Sequence, residues 1–328
     1  MDWNNLESSS KKHSNALHQP IKTIPWIDMS RFMHGTPEEK IATAIEFGKA
    51  FQELGFVAAT HIGILPKTID QAYVLAEQFF DSPEEFKLSV RSPDGHYGFI
   101  PFGTEHAKYT HVMDLKEFYQ TTGPTQPENL WPALPGFKEA ITKLYMELET
   151  CMKHCLQATA IYLGYTDKVQ QTILSDLLGS GNGLMRILHY PPVNPKNAPP
   201  GAIRSSAHED VSMMTIIPRA THPGLQVKNH LGEWIDVTVP HNAAIINAGD
   251  TLSYFTNGII PSTTHRVVNP PNQDYSRRYS IPFFGSLPFK TPMRVLDKCR
   301  GSTIKNSRAK EITFGDFLNK RYKDIGLK

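Results

Sequence analysis

The fold and the chemistry of this chain both follow from residues 205–217, which read SSAHEDVSMMTII. From Gly183 onward the chain consists of short runs rich in Val, Ile, Thr and Tyr, separated by Gly, Pro and Asn turns. This pattern is typical of an all-β sandwich or barrel. In an extended strand, residues two apart project from the same face, so His208 and Asp210 present an imidazole and a carboxylate side by side. One metal ion can bind both side chains.

A second imidazole follows in residues 249–265, which read GDTLSYFTNGIIPSTTH and end at His265. A second strand can bring this histidine to the same centre. Two neutral imidazoles and one carboxylate occupy one side of an octahedral metal and leave the other positions open. This arrangement suits ferrous iron that must also bind a cosubstrate and dioxygen.

An anion-binding pair lies further along the chain. Arg278 and Ser280 again share one strand face and can hold a carboxylate through a charged fork and a hydroxyl donor. Tyr190 can supply a third donor to the same anion.

Together these motifs resemble the 2-oxoglutarate and Fe(II)-dependent dioxygenases of the isopenicillin N synthase-like family. Members of that family carry a His-X-Asp, a distal His within a Thr-Asn-Gly...His-Arg-Val segment, and an Arg-X-Ser. The resemblance extends from about residue 24 to about residue 284. It also includes the blocks at residues 24–28, 51–56, 79–87, 98–105 and 114–119.

The resemblance implies an enzyme that oxidises a small organic molecule, usually by hydroxylation, with release of succinate and CO2. It implies that the catalytic iron is held by three residues, His208, Asp210 and His265. It further implies that Arg278, Ser280 and Tyr190 bind the cosubstrate 2-oxoglutarate, with dioxygen as the other reactant. Residues expected to line the substrate pocket are Met213, Phe283, Phe284, the loop of residues 99–109 and the C-terminal segment. The substrate itself is not identified by the sequence.

Two positions depart from the family pattern. Many plant relatives have Asn where this chain has Leu188, which removes a polar group that helps to position the cosubstrate. The family's Asn-His-Gly is replaced by residues 61–63, which read HIG, and we interpret this change as local packing.

Other interpretations of the same residues stay open at this point. An isopenicillin N synthase or aminocyclopropane carboxylate oxidase-like enzyme shares the Arg-X-Ser but does not use 2-oxoglutarate. A non-catalytic binding protein on the same fold and a zinc site are further alternatives, and the intact carboxylate-containing ligand set disfavours both. Taken singly, His208 and Asp210 can be a buried hydrogen-bonded pair, and Arg278 can form a structural salt bridge.

The resemblance also implies the fold class, α+β and mainly β. It predicts a jelly-roll, or double-stranded β-helix, with N-terminal helices, one long supporting helix and a C-terminal helical tail. Apolar residues at helical spacing predict helices over residues 37–54, 66–80 and 137–163, the last ending at Gly164. The predicted divisions are a polar leader (1–22), an N-terminal region (23–136), the supporting helix (137–165), the catalytic jelly-roll (178–290) and the C-terminal extension (291–328).

Composition favours an enzyme of the cytoplasm. Lys and Arg total 34 against 32 for Asp and Glu, which gives a net charge of +2. So small a net positive charge does not indicate electrostatic binding to nucleic acid or to a membrane surface. Three cysteines do not make a disulfide framework, and Cys151 and Cys155 are spaced as on a buried helix face. We therefore predict a small-molecule substrate, no nucleic-acid or membrane partner, and a monomer or weak oligomer.

Overall fold

The structure is a computed structural model that describes residues 21–93, 95–106, 112–192, 198–238, 242–270, 276–301 and 312–324. The helices of these residues are α1 (Ser30–His34), α2 (Pro37–Leu54), α3 (Pro66–Phe80), α4 (Glu84–Leu88), α5 (Phe137–Tyr162), α6 (Asp250–Phe255) and α7 (Phe314–Asp324). Short 3-10 turns lie at Gln170–Thr172, Asp176–Leu178 and Asp297–Cys299. None of the described helices is both long and apolar enough to cross a membrane.

The strands fall into a large sheet, a small sheet and a two-stranded ribbon. Those of the large sheet are β1 (Trp26–Asp28), β2 (Phe56–Thr60), β3 (Gly98–Ile100), β4 (Glu117–Thr121), β5 (Leu184–Tyr190), β7 (Met214–Ile217), β10 (Ala244–Ala248), β12 (Arg278–Ser280) and β13 (Phe283–Phe284). Those of the small sheet are β6 (Ser205–His208), β8 (Leu225–Lys228), β9 (Trp234–Asp236) and β11 (His265–Val267). The ribbon pairs β14 (Pro292–Met293) with β15 (Ile312–Thr313).

The strand order identifies the jelly-roll. The large sheet runs β1-β2-β10-β7-β13-β5-β4-β3, with β12 pairing with the other end of β5, and the small sheet runs β6-β11-β8-β9. Only the β1–β2 pair is parallel among these described strands. The predicted fold class, mainly β with flanking helices, is confirmed.

The large sheet separates two apolar cores. One core lies between the two sheets and includes Phe56, Leu188, Tyr190, Val227 and Ile245. The other lies between the large sheet and the helices, where α5 contributes a buried stripe along its whole length. Residues that alternate along a strand therefore face either the inter-sheet space or the helices. This alternation decides which side chains can reach a site inside the barrel.

The end of α2 illustrates how the chain enters the barrel. A capping box between Thr36 and Glu39 starts this helix, with Pro37 in its first turn. Gly55 ends it with φ 68°, and a Cβ there would lie 2.3 Å from the carbonyl oxygen of Pro261. Glycine is needed for both reasons. The turn delivers Phe56 to the inter-sheet core.

The predicted helices match the observed ones closely: α2 and α3 span the predicted residues, and α5 ends at Tyr162, just before Gly164. The predicted leader, residues 1–22, lies almost entirely outside the described residues. Strands β1 to β4 of the predicted N-terminal region belong to the same large sheet as the jelly-roll strands. The predicted C-terminal extension contains the short ribbon as well as a helix.

Candidate active site

His208, Asp210 and His265 meet at one end of the small sheet. β6 and β11 pair directly at His208 and His265, which sets the two imidazoles side by side with ring centroids 4.4 Å apart. Asp210 follows β6, and its Oδ1 lies 3.7 Å from His208 Nε2 and 3.8 Å from His265 Nε2. The three ligand atoms lie within 4.8 Å of one another. The structure thus brings together all three predicted metal ligands.

Each histidine is oriented by its other ring nitrogen. Nδ1 of His208 donates to the carbonyl of Ser206 at 2.7 Å, and Nδ1 of His265 donates to the carbonyl of Thr263 at 3.2 Å. Because a carbonyl oxygen can only accept, these bonds select the tautomer whose Nε2 lone pair is free. Metal-binding histidines are usually held in this way.

The carboxylate of Asp210 is oriented by two buried donors. Thr215 Oγ1 donates to Asp210 Oδ2 at 2.6 Å, and Asn247 Nδ2 donates to the same oxygen at 2.9 Å. Ser212 is hydrogen-bonded to Thr215 in turn, at 3.0 Å. These contacts occupy Oδ2, so Oδ1 is the oxygen that faces the two imidazoles.

The loop that carries Asp210 is fixed by the start of α6. The backbone N–H of Asp250 donates to the carbonyl of Asp210 at 2.7 Å, and that of Gly249 donates to the carbonyl of Met213 at 3.2 Å. A Cβ at Gly249 would lie 2.1 Å from the carbonyl oxygen of Ser212. The Gly249-Asp250 turn is therefore a packing requirement of the ligand loop.

The protonation states also suit a metal. Burial and the adjacent His208 together lower the pKa of His265 to about 4, against the opposing effect of Asp210, so His265 is a neutral imidazole at neutral pH. Burial by itself would raise the pKa of Asp210, but the two histidines and the donors Asn247 and Thr215 outweigh it and hold that pKa below its usual value. The set offers two neutral nitrogens and one anionic oxygen.

The donor set fits a divalent metal. Nitrogen and oxygen ligands lie roughly 2.0–2.2 Å from an ion such as zinc, so two ligands of one ion are at most about 4.4 Å apart. Both separations measured from Asp210 Oδ1 are below this limit, and the bound of 4.8 Å on all separations in the set exceeds it by only about 0.4 Å. With two imidazoles and one carboxylate on one side, the chemistry of the donors matches the facial set of non-haem Fe(II) oxygenases.

Arg278 lies in the inter-sheet space with part of its guanidinium unpaired. It is 3% exposed, its Nε donates to the carbonyl of His222 at 3.0 Å, and its Nη1 has no hydrogen-bond partner. No carboxylate among the described residues forms an ion pair with it. A buried cation with an orphaned donor is costly unless an anion joins it. This arrangement fits the carboxylate of a cosubstrate.

Ser280, Tyr190 and Leu188 surround this position. In the pairing of β12 with β5, Arg278 lies opposite Tyr190 and Ser280 opposite Leu188, so all four side chains share the inter-sheet face. The Tyr190 ring lies 5.0 Å from the guanidinium carbon of Arg278. Leu188 packs in the inter-sheet core and leaves no polar group where relatives carry Asn. A cavity of about 540 Å³ borders Arg278, and its wall includes apolar residues of three strands, Ile217, Leu225 and Ile245.

The predicted substrate-pocket residues separate onto two faces. Phe284 lies opposite Thr215, on the inter-sheet face near Asp210. Phe283 faces the helices, with its ring 5.0 Å from that of Tyr145, and Met213 is fully buried in the same helical core. We therefore do not propose that Phe283 or Met213 contacts the substrate. Adjacent residues of a strand point to opposite sides, and Phe284 is the one of the pair that faces the site.

The predicted loop of residues 99–109 is divided in the same way. Phe99 packs in the helical core, Glu105 pairs with Lys116, and residues 107–109 lie outside the described residues. Sequence reasoning missed Thr215 and Asn247 as supports of Asp210, and it missed the charged residues Asp114, Lys116 and Arg186. For Thr215, Asn247 and Arg186 a signal was present, because each interrupts a largely apolar stretch with a polar residue.

We expect Thr215→Val to weaken iron binding by roughly 10- to 100-fold, because supporting hydrogen bonds to metal ligands contribute about that much. Valine keeps the shape of threonine but cannot donate to Asp210. Iron titration under anaerobic conditions measures the effect. Thr159→Val is the matched control, because the hydroxyl of Thr159 is also buried but donates to a backbone carbonyl of α5. Equal iron affinity in the two variants would contradict the role given to Thr215.

Two family models match this chain. Residues 181–286 match the 2OG-Fe(II) oxygenase superfamily, and residues 24–134 match the N-terminal region described for a non-haem dioxygenase in morphine synthesis. The first range contains all three clustered ligands and Arg278.

Similar proteins are found among curated sequences and solved structures. A 2-oxoglutarate-Fe(II) type oxidoreductase of Metarhizium rileyi is 29% identical, over 81% of this chain and 81% of its own length. Jasmonate-induced oxygenase 3 of Arabidopsis thaliana is 30% identical, over 85% of this chain and 77% of its own length. The crystal structure of a full-length Neurospora crassa protein in complex with alpha-KG and thymine superposes with a TM-score of 0.81 at 29% identity, covering 94% of this chain and 99% of that one.

Proposed function

Because this chain belongs to the 2OG-Fe(II) oxygenase superfamily, we propose which of its residues perform the chemistry of that superfamily. The enzyme is a 2-oxoglutarate- and Fe(II)-dependent oxygenase that acts on a small molecule. His208 Nε2, Asp210 Oδ1 and His265 Nε2 hold the iron. The observation that carries this assignment is the convergence of these three atoms, each with its second polar atom already bound elsewhere.

Arg278 receives the distal carboxylate of 2-oxoglutarate in this proposal. Its unpaired Nη1 supplies the missing donor, and Ser280 and Tyr190 lie on the same face beside it. When bound, Fe(II) and 2-oxoglutarate supply the oxidising chemistry, in which dioxygen is consumed, succinate and CO2 are released and the substrate is oxidised. The chain orients both groups and keeps water from the buried guanidinium.

Direct binding tests the assignment without knowledge of the substrate. Anaerobic addition of Fe(II) and then 2-oxoglutarate to the purified protein should give a charge-transfer absorption with one iron per chain. Iron binding without any signal from 2-oxoglutarate would favour an oxidase that does not use this cosubstrate.

Tyr190→Phe is expected to weaken 2-oxoglutarate binding by about 0.5–1.5 kcal/mol, the contribution of one neutral hydrogen bond. The ring that lies against Arg278 is retained, so only the hydroxyl donor is lost. Titration of the charge-transfer absorption measures the change. Tyr279→Phe serves as the control, because the hydroxyl of Tyr279 accepts from Arg277 and its ring stacks on His189 in the helical core. Identical affinity in the Tyr190→Phe variant and the wild type would remove Tyr190 from the cosubstrate site.

The finer assignments rest on the sequence. We place the chain in the isopenicillin N synthase-like branch on its motifs and on the match at residues 24–134. We propose a cytoplasmic enzyme, as a monomer or weak oligomer, and the three buried cysteines, none in a disulfide, support a reducing compartment. The substrate is proposed to be a small organic molecule rather than a nucleic acid, since a net charge of +2 is too small to attract a polyanion strongly.

A further inference from the structure

A charged cluster of four residues lies beside the candidate metal centre: Glu105, Asp114, Lys116 and Arg186. Arg186 forms a two-pronged pair with Glu105, with Nη1–Oε2 and Nη2–Oε1 distances of 3.2 Å each. Lys116 Nζ lies 3.2 Å from Glu105 and 2.9 Å from Asp114. None of these residues has a role in holding the metal or the cosubstrate.

The cluster faces the same inter-sheet space as the metal ligands. Asp114 Oδ1 accepts from the backbone N–H of Ser206 at 2.9 Å, and the carbonyl of Ser206 accepts from His208. Arg186 lies on the same strand face as Leu188, and its guanidinium carbon is 5.8 Å from the ring of Phe284. Ser206 therefore links Asp114 of the cluster to the metal ligand His208. Phe284, which lies near Asp210, also lies near Arg186 of the cluster.

Part of the cluster is accessible. The side chain of Arg186 is 22% exposed and that of Glu105 is 15% exposed, while that of the ligand His208 is 36% exposed. The ring of Phe118 also packs against the guanidinium of Arg186, at 4.6 Å. The guanidinium of Arg186 therefore contacts two aromatic rings, those of Phe118 and Phe284.

The charges of the cluster cancel. Burial would raise the pKa of Glu105, but Arg186 and Lys116 outweigh it and lower that pKa to about 2. Burial would lower the pKa of Lys116, but Glu105 and Asp114 outweigh it and raise that pKa. Glu105 and Lys116 are therefore both charged at neutral pH. The formal charges of the two acidic and two basic side chains of the cluster cancel.

Arg186 still has hydrogen-bond donors to offer. A guanidinium carries five N–H groups. Three are used, two by Glu105 and one by Nε of Arg186 donating to Gln120 Oε1 at 3.0 Å. The remaining two have no protein partner among the described residues, and they belong to a side chain that is 22% exposed.

We propose that this cluster selects an uncharged substrate that carries acceptor oxygens, such as carbonyl groups, and excludes a free carboxylate. The proposal rests on the proposed function, since it concerns the substrate of that same site. A neutral acceptor can bind the two spare donors of Arg186 and pack on Phe284. A carboxylate substrate would instead lie against Glu105, and like charges at an interface disfavour binding strongly.

The test compares benzamide with benzoate, which have the same ring and nearly the same size but differ in charge. Both are titrated by ligand-observed NMR into the anaerobic enzyme with Fe(II) and saturating 2-oxoglutarate, so that Arg278 is occupied. The wild type should bind benzamide more tightly than benzoate. In Glu105→Gln, Arg186 loses its counter-ion, and benzoate should bind at least about tenfold more tightly than to the wild type, a change of roughly 1.4 kcal/mol.

Three further variants make the result specific. Arg186→Gln in the Glu105→Gln background should abolish the gain for benzoate. Asp81→Asn removes the exposed counter-ion of Arg277 and should leave both probes unchanged. The Arg186→Gln variant alone leaves Glu105 paired with Lys116, so it should lose binding of benzamide without gaining binding of benzoate. Circular dichroism checks the fold of each variant.

The outcomes separate this inference from the proposed function. Benzoate binding to the wild type as tightly as benzamide would overturn the inference, and so would the absence of any benzoate gain in Glu105→Gln. If neither probe binds the wild type, the inference is decided by whether benzoate binds the Glu105→Gln variant. Iron and 2-oxoglutarate absorption are recorded in the same samples, so failure of the proposed function appears as loss of that absorption and not as a change in probe preference.

Discussion

Asp210→Ala is expected to remove most of the iron affinity of this protein while leaving the fold intact. The variant loses the only anionic member of the ligand set, so the effect should exceed the roughly 10- to 100-fold cost of losing a supporting hydrogen bond. Iron content after anaerobic loading and desalting measures it directly. Thermal unfolding gives a second measurement, because a ligand that binds the folded state raises its stability. We expect added iron to raise the Tm of the wild type and not that of the variant.

Asp236→Ala is the matched control for this experiment. Asp236 is an exposed carboxylate of β9 that accepts from Gln226 at 2.9 Å, away from the ligand cluster. Its loss should change neither iron content nor the iron-dependent shift in Tm. Full iron content in Asp210→Ala would refute the metal assignment, whatever the activity of the protein.

The chain divides the work of the site between its two sheets. The small sheet supplies the two imidazoles through the pairing of β6 with β11. The large sheet supplies Thr215 and Asn247, which donate to Asp210. It also carries the residues proposed to bind the reactants, Arg278 and Ser280 for the cosubstrate and Arg186 for the substrate. Because the residues of the site lie on strands of two packed sheets, the barrel keeps their side chains at fixed distances from one another.

The helices were the most predictable part of the fold. Their apolar spacing is local information, and Pro37 and Gly164 mark a start and an end that physical chemistry dictates. The sharing of one sheet by β2 and β10 was not predictable from such patterns, because the two strands are far apart in sequence. Pairing of that kind depends on the closure of the whole barrel.

The site shows the same contrast. The His-X-Asp spacing keeps the two ligands close along the chain, so their proximity could be predicted, although β6 ends at His208 and Asp210 lies just after it. Phe283 and Phe284 must point to opposite sides, but nothing in the sequence says which side holds the metal, and the predicted pocket therefore included both. The support of Asp210 by Asn247 depends on the register of β7 with β10, which the sequence does not reveal.

Arg278→Ala is expected to weaken 2-oxoglutarate binding by about 2–5 kcal/mol, the range for removing one partner of a buried charge pair. At about 1.4 kcal/mol per factor of ten, this corresponds to a loss of roughly 30-fold to several thousand-fold. The unpaired Nη1 argues for the upper part of the range, because no carboxylate among the described residues competes for it. Titration of the charge-transfer absorption with 2-oxoglutarate, at fixed iron, measures the dissociation constant.

Arg277→Ala provides the matched control, since Arg277 precedes Arg278 in the chain but lies outside the barrel, paired with Asp81 at 2.8 Å and with Glu77 at 3.5 Å. Exposed pairs of this kind contribute about 0–1 kcal/mol to stability and nothing to a ligand that they do not touch. The two variants remove the same charge from adjacent positions, so a general electrostatic effect would alter both equally. A large loss in Arg278→Ala alone, with iron content unchanged, assigns the carboxylate to Arg278. An equal and small change in both would mean that 2-oxoglutarate binds through other residues and that the buried guanidinium serves only the packing of β12 against β5.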